Sequence, residues 1–310
     1  MNSRLTPLVL FLTLLSAASC NRYVSFGGYA QGGTYSVTLN MKGVKAPLAG
    51  IKAAVDSILV TVDTSLSGYN PGSQLSRFNA GEAVEQGDCF RRVLEFSQKY
   101  AEITGGALDV WSAPLFDAWG FGFRTDSLPG PERVQEALAL SREHKVLNFN
   151  AVAQGFTADE VARYLHSVGA RDMLVDIGEI YCSGVNRSGK GWRVGIDTPA
   201  DGNNTPGASL SGIWQSDGGS HGIVTSGNYR KYYVRDGRKY AHTVDPRTGY
   251  PVQHNLLSAT VVAPTSADAD ALATFFMVIG FDEARQWVLD HDDIDACLIT
   301  SEEIWRSPGF

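Results

Sequence analysis

Asp270 and Thr274 stand four residues apart in a mostly apolar stretch, Ser266 to Gly280. On a helix that spacing puts both side chains on one face, one turn apart. A carboxylate and a hydroxyl so placed are two hard oxygen ligands aimed at one point. They suit Mg²⁺, which takes one or two protein oxygens and completes its octahedron with water and phosphate. The same residues also fit a helix start, with Asp268 or Asp270 as cap and Thr274 bonded back to a carbonyl one turn earlier. His242 opens a second run, His242-Thr243-Val244-Asp245-Pro246-Arg247-Thr248-Gly249-Tyr250-Pro251. A neutral imidazole near pH 7 accepts a proton from a hydroxyl nucleophile. The competing reading makes His242 a hydrogen-bonded hairpin closure and Pro246 to Gly249 only a turn.

These residues need a scaffold, and hydrophobic periodicity outlines it. Tyr35 to Asn40 alternates like a strand. Ile51, Val55, Ile58, Leu59, Val62 and Leu66 keep a helical period that Gly68 to Gly72 ends. Phe90, Val93, Leu94 and Ala101 predict a second helix, closing at Gly105-Gly106, and Pro131 to Leu140 a third. Val146 to Phe149 reads as a strand before a helix from Thr157 to Gly169. Met173 to Ile177 and Trp192 to Asp197 are further strands. Asp236-Gly237, between Lys231 to Arg235 and Arg238 to Tyr240, predicts a hairpin. Leu257 to Ala263 is a strand leading into the Asp270 helix. A helix over Phe281 to His291 and a strand over Asp295 to Thr300 follow. Hairpins mixed with helices point to an α+β fold rather than strict β-α-β alternation. Asp201 to Ser220, rich in Gly, Ser, Asn and Asp, reads as a surface insertion.

The first residues set a compartment. Met1 to Arg4 carries a positive charge, Leu8 to Leu15 is apolar apart from Thr13, and Ser16-Ala17-Ala18-Ser19 precedes Cys20. A basic start, a short apolar core and small residues before a cysteine make a secretory signal. The apolar stretch is too short to cross a bilayer. The pattern resembles a bacterial lipobox, with cleavage before Cys20 and diacylglycerol on its sulfur, although Ala17 stands where Leu is usual. Plain secretion with an incidental cysteine is the alternative. Residues 1–19 are then a signal peptide, 20–27 a tether and 28–310 the domain. Cys89, Cys182 and Cys297 have no metal-binding spacing; they are buried thiols, or one pair is bridged. A net charge of −7 with no basic run argues against a nucleic-acid binder.

Four further segments keep company with the Asp270 helix. They are Tyr69-Asn70-Pro71-Gly72-Ser73 through Asn79; Gly106-Ala107-Leu108-Asp109-Val110 with Trp119-Gly120-Phe121-Gly122; Asn150-Ala151-Val152-Ala153-Gln154-Gly155-Phe156 with Asp159; and Thr225-Ser226-Gly227-Asn228-Tyr229 with the His242 run. In this order, from about Gly28 to Gly280, they resemble the ApbE family of FAD:protein FMN transferases. The resemblance implies a mixed helix/strand, T-fold-related architecture, one large domain of two closely joined lobes. It implies that FAD is cut between its phosphates. FMN is then attached through a phosphoester to a Thr or Ser hydroxyl of a partner protein, and AMP is released. It also implies Mg²⁺ held by Asp270, Thr274 and the Ala153 carbonyl, and His242 as acid/base. This fits the physics, because an acidic chain needs a cation to hold a diphosphate.

For the flavin, Tyr69 or Trp119 offers a ring to stack on, Trp119 being equally suited to the core. Asp109 suits either a hydrogen bond to the flavin or a structural cap. Ser226 and Gly227 suit a phosphate-contacting turn. Thr34, after Gly32-Gly33, matches a family Gly-Thr near the site. Two departures stand out: Ile177-Gly178-Glu179 has one glycine where many members have two, and Gln154 replaces a common Lys. The expected acceptor is an envelope-facing membrane redox subunit, with the chain lipid-anchored on the periplasmic face. An FAD pyrophosphatase releasing free FMN, or a flavin-binding lipoprotein without chemistry, are the alternatives.

Overall fold

Period-two burial builds the centre of the molecule. On β2 (Gly33–Asn40), Val37 and Leu39 are fully buried, and on β3 (Met173–Asp176) Met173 and Val175 face the same core while Leu174 points to the opposite one. These strands belong to an antiparallel sheet completed by β1 (Tyr23–Ala30), β4 (Ile180–Ser183), β7 (His221–Gly227), β12 (Leu256–Ala263), β13 (Asp295–Thr300) and β14 (Ile304–Arg306). The strand order is β1-β2-β3-β4-β7-β12-β13-β14. The computed structural model describes residues 22–122, 128–200, 203, 205, 207–229, 232–235 and 238–310. The signal segment, Cys20 and the Asp236-Gly237 turn lie outside the described residues.

Helices cover one face of the sheet in two halves. α1 (Leu48–Leu66) and α6 (Ala153–Ser167) pack with β2 and β3 around Val37, Val55 and Val161. α7 (Ser266–Ile279), α8 (Phe281–Leu289) and α3 (Asp88–Ile103) pack with β7, β12 and β13 around Phe276, Val261 and Leu298. The expected two lobes are these half-layers on one continuous sheet, in one α+β domain. The other face is covered in part by the hairpin of β5 (Arg193–Asp197) and β6 (Leu210–Gln215), where Trp192 and Trp214 meet Cys182 and Cys297. A fourth cluster joins α4 (Ala113–Ala118) and α5 (Pro131–Ser141) to Val244. Among the described residues, the four clusters run from Tyr23 to Phe310.

Several expectations change. Residues 23–27 are not tether: Tyr23 to Ala30 pairs with β2 along its whole length, from Tyr23↔Asn40 to Ala30↔Gly33. Val146 to Phe149 is not a strand. Leu147 and Phe149 are buried in alternation, but the Leu147 backbone bonds to both ends of the Asn79 side-chain amide and Asn148 N donates to Val110 O. One amide there replaces a neighbouring strand. The 201–220 stretch is not all insertion, since it contributes β6. Cys89, Cys182 and Cys297 are free thiols. The short strands β8 (Tyr232–Arg235) and β9 (Arg238–Ala241) form the predicted hairpin, and β10 (Val244–Asp245) pairs with β11 (Tyr250–Pro251). A further short helix, α2 (Gln74–Asn79), follows the Tyr69 turn.

Candidate active site

The site grows from the crossing of α6 and α7. Thr265 caps α7, its hydroxyl accepting from Asp268 N at 3.0 Å. From α6, Asp159 accepts from Ser266 N and Ala267 N at 2.8 and 2.9 Å. A carboxylate on exposed helix N–H groups is favourable, yet burial dominates and raises the Asp159 pKa to about 6. The helices approach so closely that a Cβ on Gly155 would overlap the Ser266 carbonyl and sit 2.8 Å from the Asp270 Cβ. Only glycine fits that crossing.

This approach lets Gly155 N donate to Asp270 Oδ2 at 3.0 Å. A continuous helix would give that N–H to the Ala151 carbonyl; α6 instead starts at Ala153, and no described donor reaches Ala151 O. Asp270 is only 4% exposed, and its other oxygen has no partner among the described residues. Burial lifts its pKa to about 7, against the Gly155 bond and aided by the Asp159 charge. Glu179 is pushed up well above the carboxylate range, first by burial and then by the Asp270 and Asp176 charges. Asp159, Asp270 and Glu179 are thus all desolvated, and no described basic side chain pairs with Asp270; carboxylates perturbed in this way cluster at functional sites. Thr274, one turn beyond Asp270, lies 3.5 Å from the Ser226 hydroxyl at the end of β7.

The donor set is a carboxylate, hydroxyls and a backbone carbonyl, hard oxygens that fit Mg²⁺. No described cluster of three or more His, Cys, Asp or Glu forms a metal cage. At the start of α6, Ala153 O accepts the Thr157 hydroxyl at 2.6 Å, which leaves its second lone pair available, and no described donor reaches Ala151 O.

His242 joins this group through the backbone. It lies between β9 and β10, half-buried and edge-on to Phe121, with ring centroids 6.3 Å apart. Its neighbour Thr243 donates to Asn228 Oδ1 at 2.6 Å, and both residues are buried. Asn228 follows Ser226-Gly227, so one short path runs from Thr274 through Ser226 to His242. Gly227 is confined too, since a Cβ there would lie 2.6 Å from the Tyr229 ring.

Trp119 is placed otherwise than a flavin platform requires. It is 5% exposed and its indole N–H donates to Gly249 O at 2.8 Å. Tyr240 stacks on it and Tyr250 meets it edge-on, both at 5.9 Å. With its polar atom bonded and its ring covered, it supports the His242 loop from beneath. Asp109 caps the 3-10 turn Val110–Ser112 through Trp111 N at 2.9 Å. Tyr69, in contrast, is 70% exposed, and Thr34 is exposed at the start of β2. Gln31 was not foreseen. Its amide donates to the Thr157 hydroxyl at 2.9 Å, tying the β1–β2 turn to the first turn of α6, and its Oε1 is buried without a partner. A polar residue beside two glycines was the only sequence signal.

The sequence profile of the ApbE family matches residues 31–298. The chain belongs to the ApbE family. Among curated relatives, it is 32% identical to an FAD:protein FMN transferase of Haemophilus influenzae over 96% of this chain and 93% of that one. It is equally identical to the Escherichia coli protein of that name, over 84% of this chain and 81% of that one. Among solved structures, the flavin transferase ApbE of Vibrio cholerae superposes with a TM-score of 0.80 at 29% identity, covering 94% of this chain and 98% of that one. The apo Pseudomonas stutzeri flavinyl transferase ApbE gives 0.80, also at 29% identity, over 94% and 96%. The ApbE match spans both half-layers and includes Asp270, Thr274 and His242.

Proposed function

We propose that this chain transfers FMN from FAD to a Thr or Ser hydroxyl of a partner protein, requires Mg²⁺, and releases AMP. Its ApbE relatives' names support flavin transfer. The observation that carries the metal-dependent reading is the buried Asp270 carboxylate. One of its oxygens has no hydrogen-bond partner among the described residues, and Thr274, one turn along the same helix, lies beside the Ser226 hydroxyl. Asp270, Thr274 and the Ala153 carbonyl would hold the ion, which supplies charge neutralisation and polarisation of the FAD diphosphate.

The protein's remaining work is positioning and one proton transfer. His242 accepts the acceptor hydroxyl's proton as its oxygen bonds to the FMN phosphorus. The bond from that phosphorus to the bridging oxygen breaks, and its electron pair leaves with AMP. The bond from Thr243 to Asn228 fixes His242 relative to Ser226, and Trp119 holds the loop from below. Tyr69, 70% exposed, offers a ring for the isoalloxazine to stack on. Asp109 keeps one carboxylate oxygen beyond its cap for a flavin hydrogen bond, and Thr34, Ser226 and Gly227 would contribute further FAD contacts. The leader pattern supports an envelope protein lipid-anchored through Cys20 on the periplasmic face, acting on a membrane redox subunit. No described helix is long and apolar enough to cross a membrane.

The test incubates the domain with FAD, Mg²⁺ and a protein bearing an acceptor Thr, then measures AMP, free FMN and acceptor mass. An acceptor heavier by one FMN phosphoester, with the gain abolished by EDTA, is expected. AMP with only free FMN would replace the reading with a pyrophosphatase. Bound FAD without AMP under any metal would leave a carrier.

A further inference from the structure

The end of the sheet opposite the site is basic. Arg22 O accepts from Met41 N at 2.9 Å, so the chain enters the domain beside Lys42. Arg187 reaches the same corner, donating to Tyr23 O at 3.1 Å. Lys42, Lys45 and Arg171 line an open cleft of about 740 Å³ there, with His166 and Asp172. Arg22, Lys42, Lys45, Arg171 and Arg187 are all exposed. Lys42, Lys45 and Arg171 have no ion-pair partner among the described residues. The Asp172 carboxylate is already engaged, accepting from Asn40 Nδ2 at 3.0 Å and Val185 N at 3.1 Å. Asp217, near the rim, accepts from Gly219 N and pairs with His221. In a chain of net charge −7 this cluster is a local exception.

Its position suggests the partner. Cys20 precedes Arg22 by two residues, a reach of at most about 7 Å. Because β1 begins at Tyr23, no longer leash separates Cys20 from this face. We propose that this face docks on anionic phospholipid headgroups, so that the domain stands on the membrane in one orientation. The proposal builds on the lipid-anchor reading of Cys20. Lysine and arginine beside an anionic bilayer each strengthen binding about fivefold. β7 runs from this end, beside Gly218 to Ser220, to Ser226 and Gly227, six residue rises or about 20 Å away. β2 and α6 span the same two ends, from Thr34 to Lys42 and from Ala153 to His166. The site therefore opens away from the headgroups.

The test uses the unlipidated chain from Asn21, which keeps every described residue of the fold, in flotation with vesicles of phosphatidylcholine alone or mixed equally with phosphatidylglycerol. Binding is expected to the mixed vesicles only and to weaken with added salt. Lys42→Ala, Lys45→Ala and Arg171→Ala together should weaken it about 100-fold. Thermal unfolding and flavin transfer should be unchanged. Replacing Arg91, Lys99 and Arg142, three exposed basic residues elsewhere, should leave binding intact. Equal binding to both vesicles, no binding to the mixed ones, or an unaffected triple variant overturns the proposal. So does saturable binding of inorganic phosphate without vesicle binding, which would make the cleft a soluble-anion site. The mass of Cys20 in the full chain extracted from membranes tests the anchor separately. An unmodified Cys20 would sink the anchor and leave the vesicle result standing.

Discussion

Asp270→Asn should stabilise the metal-free protein while abolishing turnover. The amide oxygen can still accept from Gly155 N, so the α6–α7 crossing survives. What disappears is a buried charge. Burial moves the carboxyl from 3.8 to about 7, and at about 1.4 kcal/mol per tenfold change in proton affinity, holding it ionised costs about 4 kcal/mol. The folded pKa lies above the unfolded one, so the native chain loses stability as pH rises from about 4 to about 7. The advantage of Asn is therefore small near pH 4 and complete above pH 7, a Tm rise of about 10 °C. Thermal melts in EDTA across this range measure it. Adding Mg²⁺ should raise the Tm of the unsubstituted protein and leave the variant unmoved. An Asn variant no more stable than its parent in EDTA at high pH would refute the desolvation argument. An equal response to Mg²⁺ would remove Asp270 from the cation site.

His242→Ala should slow FMN transfer about 10²–10⁴-fold with FAD binding retained; an unchanged single-turnover rate would make it a scaffold residue. Gly155→Ala should cost about 1–3 kcal/mol in urea unfolding and weaken the Mg²⁺ response, because α6 must back away from Asp270. Trp119→Phe should cost about 1–3 kcal/mol by orphaning Gly249 O and leave FAD affinity unchanged. A large loss of FAD affinity at unchanged stability would return Trp119 to the flavin pocket.

Elements whose burial is periodic were legible. The strand over Tyr35 to Asn40 and the helix through Val55 and Val62 stand where alternation and helical period put them. β1 was not legible, because Ser25, Gly27 and Gly28 dilute its pattern and its pairing is with the following strand. β7 was missed for a related reason. His221-Gly222 opens it, and its apolar pair Ile223-Val224 serves two different cores. At the site, side-chain ligands were readable as residue types at helical spacing. The undonated Ala151 carbonyl was not, because which backbone oxygen lacks a donor depends on where α6 starts and on the Gly155 bond to Asp270 across the fold. Trp119 shows the converse: its type suits a flavin, and only tertiary contacts reveal that it is already covered.

The bond from Gly155 to Asp270 joins residues 115 positions apart. Neither helix prebuilds the cation site, however well formed it is alone. An intermediate with native helices but undocked α6 and α7 would keep the ordinary helical bond to Ala151 and leave Asp270 in water at its usual acidity. Such a species would be blind to Mg²⁺. Cation affinity in this fold is consequently a measure of long-range order, and the Gly155 amide should gain its hydrogen-exchange protection together with metal binding, late in folding.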